Sequence, residues 1–574
     1  MEKQTQVVLC WHMHQPYYRD GLDGNYRLPW VYLHAIKDYT DMAAHLEAFA
    51  TARVVVNFAP VLLEQLDDYA TQLRSWLKDG LPMRDPLLNL VAGETPIPDD
   101  PEGRAEIIRA CQRLHAPTMV DPYPQFRALV DIARQQYSDG ELDSARIRYL
   151  SAQFFVDLLM WYHLAWLGSS VKESDARVKR LLGRKNTFTR VDQLLLMEVL
   201  AELLAGIIPR YRALADSGRI ELSMTPYGHP ILPLLIDFTV MHATDPTAEI
   251  ASLGDNYPGG VERAQWHVRR GIEVFEHYFG RRPRGVWLAE GGVSSAVLKV
   301  LDEFDIAWTA SGEGVWRGSC EDSGLDAAAL EHKRALYQPM RHPPSDCALF
   351  FRDDGLSDLI GFQYKDWDAD AAAGHFCQQL DNIAAFFPDD ENVVVTVILD
   401  GENAWEYYPA NGSFFLQRLY QQLSSQPQLR LTTFSAVLEQ RQSPLPQLPR
   451  LRPGSWVYGS FSTWIGSRDK NAAWNLLVEA KRCYDRVVRS GLLSDEQIAA
   501  ATAQLAICEG SDWFWWFGDY NPAASVRDFD QLYRRHLVRL YQLLDKVPPA
   551  ALYCPLSHGS GDDSAENSGT MRRN

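Results

Sequence analysis

Short apolar runs alternate with long segments of helical periodicity along this chain. Runs of mostly β-branched residues, with no polar position between them, are typical of strands buried on both faces of a parallel sheet. We predict such strands at Val7–Trp11, Ala52–Asn57, Ile220–Met224, Arg284–Leu288, Ile306–Ala310, Val393–Leu399 and Leu429–Thr432. Many of these runs end in charged or histidine-bearing segments, and helical segments lie between them. This order predicts an α/β barrel.

Helical periodicity dominates two further parts of the chain. Between about 61 and 217, apolar residues recur every three to four positions, which predicts a long helical insertion between barrel strands. We therefore predict a catalytic barrel domain over 1–442 that includes this insertion, and a helical region over 454–548 that completes the active site. Residues 555–574 are rich in Ser, Gly and Asp and show no apolar period, so we predict a disordered tail.

Composition restricts the classes of partner. The 574 residues exceed what one hydrophobic core normally supports. The formal net charge of −18 argues against nucleic acid and anionic membranes, which require a basic surface. A neutral polysaccharide is indifferent to this charge. The chain also has 17 Trp, 25 Tyr and 23 Phe, which fits aromatic stacking on sugar rings, although a large aromatic core would explain most of them.

The cysteines and the N-terminus bear on the compartment. The eight cysteines are scattered without a CxxC pair, which favours buried free thiols over a zinc or disulfide scaffold. Residues 1–5 lead directly into the first predicted strand and leave no room for a signal peptide. No apolar run reaches the ~18 residues of a membrane span. We expect a cytoplasmic protein.

Two carboxylates follow predicted strands. Asp400 comes directly after Val393–Leu399, and Glu290 follows Arg284–Leu288 at a glycine turn. Strand ends of a barrel share one mouth, so both groups can reach the same site. A retaining glycosidase needs such a pair about 5–5.5 Å apart, one ionised and one protonated. The alternative for Asp400 is an acidic turn that starts a helix.

Histidines at the end of the first strand allow a second chemistry. The period of two in a strand places His12 and His14 on one face, where they would be metal ligands or donors to sugar hydroxyls. With His229, His267 and Asp400 they are candidates for the zinc site of a metal-dependent amidohydrolase or deacetylase. Glu290 has no evident use in that chemistry.

A third alternative is a non-catalytic glucan-binding protein of the same fold. Such a protein would not need both carboxylates.

Five segments form a further pattern when they are taken in order. They are His12–Pro16 (HMHQP), Glu221–Pro230 (ELSMTPYGHP), Trp287–Gly292 (WLAEGG), Leu399–Trp405 (LDGENAW) and Thr463–Trp474 (TWIGSRDKNAAW). In these five segments the chain resembles glycoside hydrolase family 57, the retaining enzymes that act on α-glucans. A sixth segment, Gly510–Tyr520, resembles the helical part of the amylopullulanase-like members, and together the six span residues 12–520.

The resemblance implies an incomplete, seven-stranded TIM-type barrel with a helical C-terminal region, and an enzyme that uses no metal or other cofactor. It implies Glu290 as the nucleophile and Asp400 as the acid/base. It also implies hydrolysis of α-1,4 and, by extension, α-1,6 bonds, with 4-α-glucan transfer as the alternative. The residues expected to contact sugar are His12, His14, His229, Glu402, Trp287, Trp405, Trp464, Arg352 and Asp353.

Two expectations about environment accompany these roles. Hydrogen bonds from neighbouring donors should lower the pKa of Glu290, and the charge of Glu402 with aromatic cover should raise the pKa of Asp400. The cluster Trp513–Trp516 is either a sugar platform or core packing, and the sequence does not distinguish the two.

Overall fold

The computed structural model describes residues 4–138, 141–250, 256–325, 330–387 and 393–560. Eleven strands occur in these ranges, nine in one sheet and two in a small hairpin. They are β1 Thr5–Met13, β2 Val54–Phe58, β3 Tyr137–Ser138, β4 Glu141–Leu142, β5 Ile220–Met224, β6 Gly285–Val286, β7 Trp308–Ser311, β8 Met340–Arg341, β9 Ala348–Phe351, β10 Val394–Asp400 and β11 Leu429–Thr432.

Seven parallel strands form the curved wall of the barrel, in the order β10-β1-β2-β5-β6-β7-β9. β11 pairs with β1, and β8 runs antiparallel to β9. Within the described ranges the two ends of the wall, β9 and β10, do not pair as strands. Two hydrogen bonds cross this gap: Asp353 N–H donates to the Thr396 carbonyl at 2.8 Å and Arg352 Nε to the Ile398 carbonyl at 2.7 Å. The predicted incomplete (β/α)7 barrel is confirmed.

Alternation along the central strands separates the two faces of the wall. Val8 and Cys10 on β1, with Ile398 on β10, belong to an inner cluster that the helix Phe434–Gln440 closes from below. Outward-facing neighbours such as Leu9 pack against the surrounding helices in the main core. The same alternation turns His12 inward, in register with Asp400 on β10.

Helices surround the wall and form the insertion between β2 and β5. Many begin at an Asp, Ser or Thr whose side chain accepts from the first turn, or with proline in that turn, as expected for helix starts. Up to β5 they are Trp30–His34, Thr40–Ala48, Pro60–Asp79, Pro86–Val91, Pro101–Cys111, Ala116–Met119, Pro124–Arg134, Ser144–Ile147, Ala152–Trp166, Ser169–Ser174, Ala176–Arg184 and Arg190–Asp216. After β5 they are Leu232–Ile236, Gly260–Phe279, Ser295–Asp302, Glu313–Asp322, Asp354–Asp358, Ala369–Phe386, Ser413–Ser425, Phe434–Gln440, Arg468–Arg489, Asp495–Cys508, Ser511–Trp516 and Ala523–Leu543.

Short 3₁₀ and π turns complete the elements. The π-helical turns are Ala35–Tyr39 and Leu359–Gln363. The 3₁₀ turns are Phe238–Ala243, Ala289–Gly291, Arg334–Tyr337, Tyr364–Asp366, Trp405–Tyr407, Pro409–Gly412 and Ala550–Tyr553. Among the described residues, no helix combines the length and apolar composition needed to cross a bilayer.

The predicted tail at 555–574 lies partly outside the described residues, which end at 560. Its described part forms hydrogen bonds with the helical region. Ser557 Oγ accepts from Gly518 N–H at 3.1 Å, and Leu556 N–H donates to Asp530 at 2.8 Å.

Candidate active site

A cavity of about 670 Å³ opens where the barrel strands end, between the wall and the helical region. This volume lies in the range of ordinary ligand pockets. It brings together seven of the residues predicted from sequence and adds aromatic side chains from distant segments. The predicted residues that line it are His12, His14, His229, Glu290, Arg352, Asp400 and Glu402, and the aromatic ones are Phe362, Tyr407, Trp456, Tyr458, Trp515, Trp516 and Tyr520.

Glu290 sits in a strained turn just beyond β6. Its φ of 57° and ψ of 22° are left-handed, a conformation that costs a residue with a side chain free energy. Gly291 continues the left-handed turn with φ 60°, and a Cβ there would come within 2.9 Å of the Trp287 ring. Trp456 holds the turn twice: its indole N–H donates to Glu290 Oε2 at 2.9 Å and its backbone N–H to the Glu290 carbonyl at 3.0 Å.

Asp400 ends β10 directly beside His12 of β1. Gly401 follows because a Cβ at that position would lie 2.1 Å from the sulfur of Met13. The carboxylate accepts from Asn403 Nδ2 at 2.5 Å, which fixes it at the cavity wall. Strand geometry and one glycine therefore aim this carboxylate into the cavity.

Burial raises the pKa of both carboxyls. The pKa of Glu290 rises to about 8, first through burial and then through the charge of Asp400, while the Trp456 hydrogen bond opposes the rise. The pKa of Asp400 rises to about 6 through burial, opposed by His14, Asn403 and Arg352. The expectation that neighbouring donors leave Glu290 with a lowered pKa is wrong, because one hydrogen bond does not offset the loss of solvation.

We expected the charge of Glu402 to raise the pKa of Asp400, but the repulsion raises the pKa of Glu402 instead. Its pKa lies well above the ordinary value because of burial, then Asp400 and Asp38. Oε1 accepts from three donors at 3.2 Å: the His14 backbone N–H, the Gln15 amide and the Tyr39 hydroxyl. Oε2 is buried without a partner in the described residues. Burial and the two neighbouring carboxylates therefore favour the neutral form of Glu402.

Two of the three histidines form a hydrogen-bonded chain with one consistent arrangement of protons. Burial lowers the pKa of His12 to about 3 and that of His229 well below its ordinary value, so both rings are neutral. His12 Nδ1–H donates to Asn57 Oδ1 at 2.7 Å, which leaves Nε2 to accept from His229 Nε2–H at 3.2 Å. His229 Nδ1 then accepts from the Ser511 hydroxyl at 2.8 Å. The expected sugar donors on these two rings are therefore already engaged.

His14 stacks on His229 with ring centroids 3.7 Å apart, and its Nε2 lies 2.9 Å from Asp512. Its Nδ1 has no partner in the described part of the chain. His14, His229 and Asp512 are also the set in which three possible metal-ligand atoms lie within 4.8 Å of one another. Both nitrogens of His229 and the Nε2 of His14 already hydrogen-bond, which leaves His14 Nδ1 as the one ring nitrogen of this set without a partner among the described residues.

The remaining members of the zinc hypothesis do not gather around this set. His267 contacts the Tyr227 carbonyl through Nδ1 and Glu509 through Nε2, at 2.7 Å for the latter. It is a satisfied core histidine behind the site. Asp400 faces the cavity beside His12 instead.

Four residues expected to contact sugar lie outside the cavity lining. Trp287 packs inside the barrel, 5.2 Å from the Trp456 ring, and Trp405 lies behind the Asp400 loop, where its N–H donates to the Gly401 carbonyl at 2.8 Å. Trp464 is fully buried in the helical region. Asp353 caps the helix Asp354–Asp358 and accepts from Tyr337 at 2.8 Å. These four side chains support the walls of the site.

Arg352 and the cluster Trp513–Trp516 lie partly at the cavity and partly in the surrounding core. Arg352 is buried, pairs with Asp354 at 2.6 Å and Asp358 at 2.7 Å, and lies 5.4 Å over the Trp456 ring. Trp515 and Trp516 line the cavity. Trp513 points away and donates to the Ile507 carbonyl at 2.8 Å, so the cluster serves both wall and core.

Several site residues were not predicted from the sequence, and three of them hold barrel side chains in place: Trp456, Ser511 and Asp512. Each lies in the helical region or in the loop before it and hydrogen-bonds to a barrel residue far away in the sequence. The separation is 166 positions for Trp456 and Glu290, 282 for Ser511 and His229, and 498 for Asp512 and His14. Ser511 and Asp512 fall within the sixth segment, whose most conspicuous feature is its three tryptophans. Trp456 lies between two recognised segments and carries no local signal.

Comparisons with known proteins agree with this architecture. The sequence profile described as Glycosyl hydrolase family 57 matches residues 8–449. No curated protein sequence matches the chain. Among solved structures it resembles a branching enzyme of Thermococcus kodakaraensis, with TM-score 0.58, 16% identity and coverage of 94% of this chain and 89% of that one.

Two further structures share the fold. A branching enzyme of Pyrococcus horikoshii gives TM-score 0.56 and 16% identity over 97% of this chain and 98% of that one. The alpha-amylase AmyC of Thermotoga maritima gives 0.53 and 14% over 94% and 93%. Since the family profile spans most of the sequence and these structures share its barrel, the chain belongs to glycosyl hydrolase family 57 and is an enzyme that acts on glycosidic bonds.

Proposed function

We propose that this enzyme cleaves α-glucans with retention of configuration, with Glu290 as nucleophile and Asp400 as acid/base. The observation that carries the proposal is the carboxyl pair itself. Glu290 and Asp400 share one aromatic-lined cavity and are close enough for the charge of one to raise the pKa of the other. The family match favours this chemistry over the amidohydrolase hypothesis. The similar structures named for branching and amylase activities support an α-glucan substrate.

The proposed reaction has two displacements. Glu290 attacks the anomeric carbon, the glycosidic C–O bond breaks, and the proton of Asp400 passes to the leaving oxygen. Asp400 then takes a proton from water or from a sugar hydroxyl, whose oxygen attacks the same carbon and releases Glu290. Water gives hydrolysis, which we propose for α-1,4 and, as in amylopullulanase-like members, α-1,6 bonds. A glucan hydroxyl gives transfer.

Two properties of the whole chain complete the proposal. All eight cysteines are free, and seven of them are buried, which supports a reducing, cytoplasmic compartment. The net charge of −18 supports a neutral polysaccharide over nucleic acid as the partner.

Product analysis with maltoheptaose tests the function directly, with a metal chelator present throughout. Shorter oligosaccharides with equal numbers of new reducing ends would identify a hydrolase. A ladder of longer and shorter chains with constant reducing ends would identify a transferase. An absence of any action on α-glucans would contradict the proposal.

The pH profile of kcat/KM should be bell-shaped, with limbs near the two carboxyl pKa values. Below about 6 both carboxyls are protonated and no nucleophile is ionised, whereas above about 8 both are ionised and no acid remains. Between these values the pair holds one proton, and the two values belong to the pair rather than to either residue. Initial rates on maltoheptaose between pH 4 and 10 check this. A profile that stays flat from about 5 to 9 would exclude a singly protonated pair.

Replacing Trp456 by phenylalanine should lower kcat by roughly 10- to 100-fold, since a hydrogen bond to a charged group contributes about 1.5–3 kcal/mol. The indole N–H that stabilises ionised Glu290 is lost, so the pKa of Glu290 should rise further and the basic limb of the pH profile, near 8, should move to higher pH. Trp515→Phe is the matched control, because it alters an indole in the same cavity that makes no hydrogen bond to Glu290. An unmoved limb in Trp456→Phe would show that the indole only fills space.

A further inference from the structure

One wall of the cavity carries a half-exposed phenylalanine. Phe362 lines the cavity and keeps 42% of its surface accessible. It lies in the π-helical turn Leu359–Gln363, which follows directly on the helix Asp354–Asp358. Single π-turns are rare and are frequent at functional sites, because the extra residue shifts a side chain out of the regular helical face.

The π-turn is fixed to the segments on both sides of Asp400. Ahead of it, Ile398 N–H donates to Ser357 Oγ at 3.3 Å. Beyond it, the Tyr408 hydroxyl donates to the Ile360 carbonyl at 2.6 Å. Phe362 therefore belongs to the acid/base side of the cavity, whereas the loop that carries Trp456 holds the nucleophile side.

Polar contacts tie the start of this turn to the barrel wall. Arg352 crosses from β9 to the Ile398 carbonyl and pairs with Asp358, one residue before the turn. Lys365 and Tyr407 continue the wall, with the ammonium group 5.9 Å from the ring centroid of Tyr407. An aromatic face next to polar groups, on a fixed support, is what a pyranose requires, since one face of the ring presents C–H groups and its edge presents hydroxyls.

Acid catalysis determines which sugar would lie there. Asp400 must come within hydrogen-bond reach of the glycosidic oxygen that it protonates. The sugar attached to that oxygen therefore leaves along the wall that carries Asp400. In the second displacement an attacking sugar hydroxyl gives its proton to the same carboxylate, so the acceptor occupies the position that the leaving sugar vacated.

We propose that Phe362 is the stacking platform of this shared leaving-group and acceptor subsite, and that the enzyme transfers glucan chains as well as hydrolysing them. The inference rests on the proposed function of Glu290 and Asp400. A sugar held against Phe362 places its hydroxyl beside Asp400 in competition with water. The platform thus sets the ratio of transfer to hydrolysis.

Partitioning experiments test the platform. With maltoheptaose as donor and added maltose as acceptor, wild type should give transfer products at a rate that rises with maltose and saturates. In Phe362→Ala the ratio of transfer to hydrolysis should fall by roughly fivefold to tenfold, the effect of truncating one well-placed aromatic contact. Phe362→Tyr should restore the ratio, because it keeps the ring.

Phe414→Ala is the matched control: this phenylalanine is 55% exposed on the helix Ser413–Ser425 and lies outside the cavity lining. It should leave the ratio unchanged. An active wild type whose ratio is the same in Phe362→Ala would overturn the platform while leaving the proposed function intact. A wild type inactive on every α-glucan would instead reject the proposed function.

Discussion

Replacement of Glu290 by glutamine is expected to lower kcat on maltoheptaose by about 10⁴-fold or more, as when the nucleophile of a covalent mechanism is removed. Glutamine has the shape of the native side chain, and its amide oxygen still accepts from the Trp456 indole. Binding of the oligosaccharide should persist, because the rest of the cavity lining is unchanged. Initial rates, with KM determined separately, measure the loss.

The stability of the same variant supplies the folding control. The pKa of Glu290 is raised in the folded protein, so its contribution to folding is present at low pH and is lost as pH rises toward about 8. Glutamine cannot ionise and avoids this loss. Glu290→Gln should therefore unfold at the same temperature as wild type near pH 5 and at a higher temperature near pH 9. Full activity in a folded Glu290→Gln protein would refute the assignment of the nucleophile.

Replacement of Asp400 by asparagine should lower kcat on maltoheptaose by roughly 10²- to 10⁴-fold, the usual contribution of a general acid/base. The loss should be smaller for a 4-nitrophenyl α-maltoside, because nitrophenolate departs without a proton. The second displacement then lacks its base, so the glycosyl-enzyme accumulates. Azide, which needs no deprotonation, should restore turnover and yield the glycosyl azide of retained configuration.

This dependence on the leaving group separates Asp400 from a merely structural carboxylate. Asp346→Asn serves as control, since that side chain is 89% exposed and lies outside the cavity lining. It should behave as wild type with both substrates. If Asp400→Asn lost the same factor on both substrates and did not respond to azide, Asp400 would not be the acid/base.

The sequence predicted six of the seven wall strands because their signals are local; it missed β9, and the predicted strand Leu429–Thr432 lies beside β1, outside the wall order. Apolar runs such as Val393–Leu399 need only their own composition to predict buried parallel strands, and the structure contains β10 there. The weakest case is β6, where a predicted five-residue strand pairs through only Gly285 and Val286. The inward direction of His12 likewise follows from the period of two within its own strand and does not depend on the neighbouring strands.

The pair Glu290 and Asp400 was also predictable as a pair at one mouth, since carboxyl ends of parallel strands meet at one edge of a barrel. The direction of their pKa shifts was only half predictable. Burial depends on how all surrounding segments pack, and it outweighs the single hydrogen bond that Trp456 gives to Glu290.

Contacts across the chain required the tertiary structure. The sequence determined six of the seven wall strands, the inward histidine and the two strand-end carboxylates, because each follows from a few adjacent residues. Only the folded chain decided that Asp512 meets His14, that Trp456 braces Glu290, and that Phe362 faces the acid/base side. Such meetings depend on how the helical region docks on the barrel, and that docking results from the packing of many side chains rather than from a local pattern.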